Sequence, residues 1–205
     1  MNDGRFYFSV IDPLLLKLHR AVADEIPEGA KVIDIACGNG TMPIMYADRA
    51  SHITGVDLDA GKLIFARKIA ARRGYQNITF IKKDATDLSE YKNTMFDIAT
   101  ISMAIHQFDL QVGMRLLTEL HRIAGQVIIA DYRFPLPTGF PGLITRMIER
   151  LAGTEHHRYF RQYLEFGGLR AITESIFNGN EIQLKEIGSV FQLAVIQNSP
   201  HSRFS

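Results

Sequence analysis

At 205 residues, 46% hydrophobic and 22% charged, the chain has room for one substantial core and a globular composition that excludes disorder. A formal net charge of +1 gives no global field for drawing in nucleic acid or acidic membrane, and no segment approaches eighteen uninterrupted apolar residues. The one cysteine, Cys37, excludes an intramolecular disulfide framework, and the N-terminus lacks the layout of a signal peptide, which predicts a cytoplasmic protein.

Aromatic residues Phe6, Tyr7 and Phe8 cluster near the start. From residue 30, β-rich runs alternate with helical stretches, the pattern of a parallel sheet covered by helices. The expected strands are 31–36 (KVIDIA), 52–57 (HITGVD), 77–82 (NITFIK), 96–102 (FDIATIS) and 126–131 (QVIIAD). After the second strand, Leu63, Ala66, Ile69 and Ala70 form the apolar face of a helix. Lys62, Arg67, Lys68, Arg72 and Arg73 form its solvated face, and Gly74 suits a left-handed cap. Leu110, Met114, Leu117, Leu120 and Ile123 place a second helix over 110–124. Residues 133–180 then interrupt the alternation with a Pro/Gly-rich loop and two or three short helical segments. The run "EIQLKEIGSVFQLAVIQN" reads as an antiparallel hairpin hinged near Gly188–Ser189.

The loop after the first strand, "DIACGNGT", lies where an open α/β sheet binds its ligand. Gly38 and Gly40 carry no Cβ, so their backbone can approach a cofactor closely. A dinucleotide loop would read G-x-G-x-x-G, but Ala36 and Thr41 stand at its first and third glycines. Asp34 suits a cation better than a pyrophosphate, and S-adenosylmethionine carries a cationic ammonium and a sulfonium. Asp57, closing the second strand, is placed to accept hydrogen bonds from ribose hydroxyls. Asp84 can accept from an adenine amino group, with the Ala85 backbone against the ring. Cys37 reads as a small buried thiol, because no histidine partner follows it at a recognisable site.

The stretches "VIDIACGNGT", "GVDLD", "KKDATDL", "FDIATISMAIHQF" and "LLTELHRIAGQVIIADY" together resemble a class I S-adenosylmethionine-dependent methyltransferase. The similarity is to the broad group that includes the menaquinone and ubiquinone biosynthesis enzymes, and it covers roughly residues 30–132. It implies a Rossmann-like three-layer αβα sandwich with seven strands in the order 3-2-1-4-5-7-6, strand 7 antiparallel. One domain is expected over 1–205, with an N-terminal helical lid segment at 1–29 and a helical lid at 133–180. The resemblance also implies cofactor contacts from Asp34, Ala36, Gly38, Gly40, Asp57, Leu58, Asp84, Ala85, Ser102 and Met103. Ala36 is expected to keep a strand-like φ, since a left-handed L-residue costs about 1–2 kcal/mol. The joint "RIAGQV" is shorter than the family's usual turn and is expected to change only a local loop.

Methyl transfer asks the protein mainly for positioning and exclusion of water. His106, past the fourth strand, is the residue placed to take a proton if the acceptor sheds one; otherwise it packs at a helix start and shapes the pocket. The Asn/Asp-Pro-Pro-aromatic motif of adenine-N6 and glutamine-N5 methyltransferases is absent from this position, which leaves other acceptors. In "TEHHRYFRQYLEFGGL", His156, Tyr159, Phe160 and Tyr163 share a helix face, flanked by Arg158 and Arg161. That face either holds a flat or anionic small molecule or anchors the segment on the core. Substrate contacts are therefore expected from Tyr7, His156, Tyr159 and Tyr163. No metal is expected, because His156 and His157 diverge on a helix and no third ligand is evident. The rival functions are a noncatalytic cofactor-binding or regulatory protein and an NAD-dependent oxidoreductase, which the missing glycine pattern disfavours.

Overall fold

The computed structural model describes residues 15–198. Phe6, Tyr7 and Phe8, and with them the expected contact at Tyr7, lie outside the described residues. A helix, α1, covers residues 15–24 of the described chain. The strands are β1 (Lys31–Ile35), β2 (His52–Asp57), β3 (Ile78–Lys82), β4 (Phe96–Ser102), β5 (Ala124–Tyr132), β6 (Glu181–Ile187) and β7 (Phe191–Gln197). They form one sheet in the order β3-β2-β1-β4-β5-β7-β6. β1 to β5 run parallel, while β7 is antiparallel to both β5 and β6, as the resemblance implied.

The parallel strands are buried on both faces, which is why they read as nearly continuous apolar runs: Val32 to Ile35 are all covered. The short helix α2 (Thr41–Met45) follows β1, and α3 (Ala60–Arg72) packs on β2 and β3. Asp59 caps α3 by accepting from the Gly61 and Lys62 amides, and Gly74 takes the expected left-handed conformation at its end. Helix α4 (Leu110–Ile123) covers β4 and β5 and runs into β5 with no intervening loop, so that strand begins two residues earlier than its sequence suggested.

The expected insertion contains three helices, α5 (Phe140–Leu151), α6 (Thr154–Phe166) and α7 (Gly168–Ile176). Helix α6 packs on the 3-10 turn Ile105–Gln107 that follows β4, which brings the insertion over the carboxyl ends of the central strands. Phe160 and Tyr163 anchor it in the core. The neighbours of β1 are β2 on one side and β4 on the other, so the chain's winding reverses there and opens a crevice.

Candidate active site

Asp34, Ile35, Ala36, Cys37, Thr41 and Met42 from the first turn line a cleft of about 130 Å³ with His19 of α1 and Ser102 of β4. Asp34 is 1% exposed. It accepts a 2.5 Å hydrogen bond from the Thr100 hydroxyl, which in turn lies 3.2 Å from the Tyr46 hydroxyl. Burial pushes the Asp34 carboxyl up to about 7, against the opposing effect of the Thr100 and Tyr46 hydroxyls. Ser102 Oγ, on the same cleft, is buried with no hydrogen-bond partner among the described residues. A buried acid held near its titration point and an orphaned hydroxyl are polar groups that a polar, cationic ligand would satisfy.

The expectation for Ala36 is overturned: its φ is 54°, in the left-handed region, and β1 stops at Ile35 for that reason. The turn that carries the loop away from the strand begins there. Gly38 also has positive φ (53°), with open space where a Cβ would sit. Its amide donates to Asp57 Oδ2 at 2.7 Å, tying the loop to the end of β2. Gly40 (φ 75°) also has a packing part. A Cβ there would lie 2.8 Å from Ala66 Cβ and 2.9 Å from Phe80 Cζ, so the glycine lets the loop pack on α3 and β3. Cys37 is buried with Leu63, Ala66 and Phe80, and burial pushes its thiol up, with Asp34 and Asp57 adding to the effect.

Asp57 Oδ1 accepts from the Asp59 amide at 2.8 Å, and the neighbouring Leu58 is exposed. An ionised carboxylate has about four acceptor sites, so Asp57 keeps capacity for a further donor. Asp84 Oδ1 accepts from the amide and hydroxyl of Thr86, which holds its carboxyl below the usual range, and Ala85 beside it is buried.

The residues after Ser102 belong to a second space. Met103 and His106 line an adjoining, mainly apolar cavity of about 240 Å³ with Tyr132, Ile144, Ile148 and Glu149. Met103 has φ 54°, and its amide donates to the Ala130 carbonyl. His106 is 2% exposed, its Nδ1 2.6 Å from Asp131 Oδ1 at the end of β5. A carboxylate only accepts, so Nδ1 carries a proton and Nε2 faces Glu149 Oε2 at 3.7 Å. Burial works against the His106 imidazolium, but the charge and hydrogen bond of Asp131 and the charge of Glu149 outweigh it and raise its pKa above the ordinary histidine value. Tyr132 donates its hydroxyl to Glu149 Oε1 at 2.8 Å, and His156 Nε2 contacts Glu149 Oε2.

The fold thus gathers His156, Phe160 and Tyr163 edge-on around the His106 ring and leaves out Tyr159. Tyr159 turns away: its hydroxyl donates to Glu155 at 2.9 Å and Arg158 lies over its ring. Tyr163 is buried and donates to the Tyr132 carbonyl, so it is a structural anchor. Four residues of the site were not singled out from sequence: His19, Asp131, Tyr132 and Glu149. For Asp131 and Tyr132 the signal was their place at the carboxyl end of a parallel strand. For Glu149 it was an acid on the buried side of an amphipathic helix beside Thr145.

The methyltransferase domain family matches residues 26–168, and the chain belongs to that family. Demethylmenaquinone methyltransferase of Paenarthrobacter aurescens (strain TC1) is 31% identical over 136 residues, covering 64% of this chain and 51% of its own length. The chain spans about half the length of this and similar curated relatives. Two solved structures share the fold. A SAM-dependent methyltransferase from Aquifex aeolicus is 17% identical with a TM-score of 0.61, covering 95% of this chain and 97% of that one. Magnesium protoporphyrin IX methyltransferase from Synechocystis PCC 6803, with bound SAH, is 19% identical with a TM-score of 0.64, covering 92% and 83%. Among the described residues no helix is long and apolar enough to cross a membrane.

Proposed function

We propose that the protein binds S-adenosylmethionine (SAM) in the Asp34 cleft and transfers its methyl group to a small molecule held in the neighbouring cavity. The observation that carries this reading is the junction at Ser102 and Met103: consecutive residues line a polar cleft and a mainly apolar cavity, so two ligands would meet end to end. Family membership supports the chemistry. When bound, SAM supplies a methyl group on a sulfonium, which leaves by in-line displacement.

Asp34 would attract the cofactor's cationic end, with Ala36, Gly38 and Ser102 against it. Asp57 would accept from the ribose, Leu58 would cover that edge, and Asp84 and Ala85 would meet the adenine. Met103 would border both ligands at the point where they meet. His106, fixed in orientation by Asp131, would present Nε2 to the acceptor and exchange a proton with it there. Helices α5 to α7 would act as the cover that keeps water from the cavity. A small-molecule acceptor belongs to the same proposal, supported by the near-neutral charge, and so does a cytoplasmic location, which a single unpaired cysteine fits.

The test is binding of S-adenosylhomocysteine (SAH), followed by transfer of labelled methyl from SAM to small molecules of a cell extract. Stabilisation by NAD in place of SAH would sink the cofactor assignment. Tight SAH binding with no methylated product from any extract would favour the noncatalytic role. His106→Ala is expected to lower turnover at least tenfold and spare SAH affinity.

A further inference from the structure

Cofactor binding does not account for one cluster of ligating side chains: His106, Glu149 and His156. They come from the turn after β4, from α5 and from α6, three elements that meet only in the folded chain. One ligand atom from each lies within 4.8 Å of the others, and two of the three, His106 and Glu149, line the acceptor cavity. Three atoms held about 2.0–2.2 Å from a shared tetrahedral cation would stand roughly 3.4 Å apart, and the 3.7 Å between His106 Nε2 and Glu149 Oε2 is close to that spacing.

The partners behind these groups leave the converging atoms to one another: His156 Nε2 and Glu149 Oε2 are in hydrogen-bond contact, which the cation would replace. Asp131 holds His106 through Nδ1, which fixes the ring and aims Nε2 at the cluster, the arrangement that supports metal-ligating histidines. The Tyr132 hydroxyl occupies Glu149 Oε1 and leaves Oε2 facing both imidazoles. Asp131 and Glu149 are 0% and 3% exposed, and two buried carboxylates call for compensating positive charge. A divalent cation bound to two neutral imidazoles would supply both charges. Two imidazoles and a carboxylate are a nitrogen and oxygen set suited to zinc and cobalt, and they fill three positions of four or five.

We propose that His106, Glu149 and His156 bind one divalent transition-metal cation, with at least one coordination position open to the cavity. The cation takes the place of a proton at His106 Nε2, so in the metal-loaded protein His106 acts as a ligand and the acceptor's donor atom meets the cation in place of the imidazole. The methyl acceptor then belongs to the class of small molecules that pair an apolar body with an oxygen, nitrogen or sulfur donor able to reach the cation. This last step rests on the methyl-transfer reading, whereas the metal site itself does not.

The test is a titration of the full, metal-depleted chain with Co²⁺ alone, at mildly alkaline pH because coordination needs unprotonated imidazole. The expected result is one Co²⁺ per chain with the visible bands of a four- or five-coordinate site, displaced by Zn²⁺. Glu149→Gln and His156→Ala should each weaken binding at least tenfold, and Asp131→Asn about ten- to a hundredfold through the second shell. His157→Ala, the adjacent side chain outside the cluster, should leave binding unchanged. SAH binding by each variant shows that it is folded. Acetohydroxamate should shift the bands if a position is open; an unshifted spectrum overturns the open position. Absence of stoichiometric Co²⁺ binding by the unaltered chain, or binding indifferent to both Glu149→Gln and His156→Ala, overturns the site. An intact Co²⁺ site in a protein that does not bind SAH overturns the methyl-transfer reading alone.

Discussion

Ala36 sits in a conformation that costs an L-residue about 1–2 kcal/mol, at the point where the first strand must turn into the cofactor loop. Ala36→Gly relieves that strain but loosens the unfolded chain by about 0.4–1 kcal/mol. The expected outcome in denaturant unfolding is stability within about 1 kcal/mol of the parent, on the stabilised side. At the exposed helical Ala71, the same exchange should cost about 1 kcal/mol. Asp34 yields a pH dependence. Its folded value of about 7 lies above the ordinary 3.8, so the stability it contributes is complete below 3.8 and is lost as pH rises toward 7. The ammonium that SAM and SAH share calls for the carboxylate form of Asp34, so SAH affinity measured by calorimetry should fall as pH drops below 7, by up to about tenfold per pH unit, and Asp34→Asn should flatten that slope. That Asp34, Asp57 and Asp84 stand at or just past the carboxyl ends of three parallel strands was legible from contiguous motifs. The conformation of Ala36 was not, since sequence offers no measure of backbone strain at a turn.

At the level of elements, the glycines of the first turn separate cofactor approach from packing. Gly40→Ala adds a left-handed penalty of about 1–2 kcal/mol and an overlap with Ala66 and Phe80 of about 1–3 kcal/mol, and should destabilise by their sum. Gly29 has a similar φ of 76° and open space around it, so Gly29→Ala should cost only the first part. Urea unfolding of the pair checks the difference. Strand order and the terminal hairpin were legible from alternation and from the family resemblance. The direct passage from α4 into β5 explains the short "RIAGQV" joint, which holds no loop. The α6 face was only half legible: helical periodicity placed four residues on one side, but Tyr159 sits at the rim, where Glu155 and Arg158 draw it outward. Glu149 and Asp131 escaped because their local signals, an acid on a buried helix face and an acid at a strand end, gain meaning only when α5 and β5 converge on His106.

For the whole molecule, a ligand that binds the folded chain alone shifts unfolding by mass action. SAH at about a hundred times its dissociation constant should add about 2.7 kcal/mol, or roughly 5–11 °C in Tm for a domain of this size. An unmoved Tm under those conditions would speak against an SAH site in the Asp34 cleft. Helix α1 gives the two spaces a common roof: Leu15 lines the cavity and His19, one helical turn later, lines the cleft. Neither chamber can therefore change its enclosure without disturbing the other. A molecule lodged beneath Leu15 would then raise the affinity for one beneath His19, and the reverse by the same factor. Release of the spent cofactor and of the methylated product would be coupled through that shared helix, making departure, rather than chemistry, a natural place for this protein to set its pace.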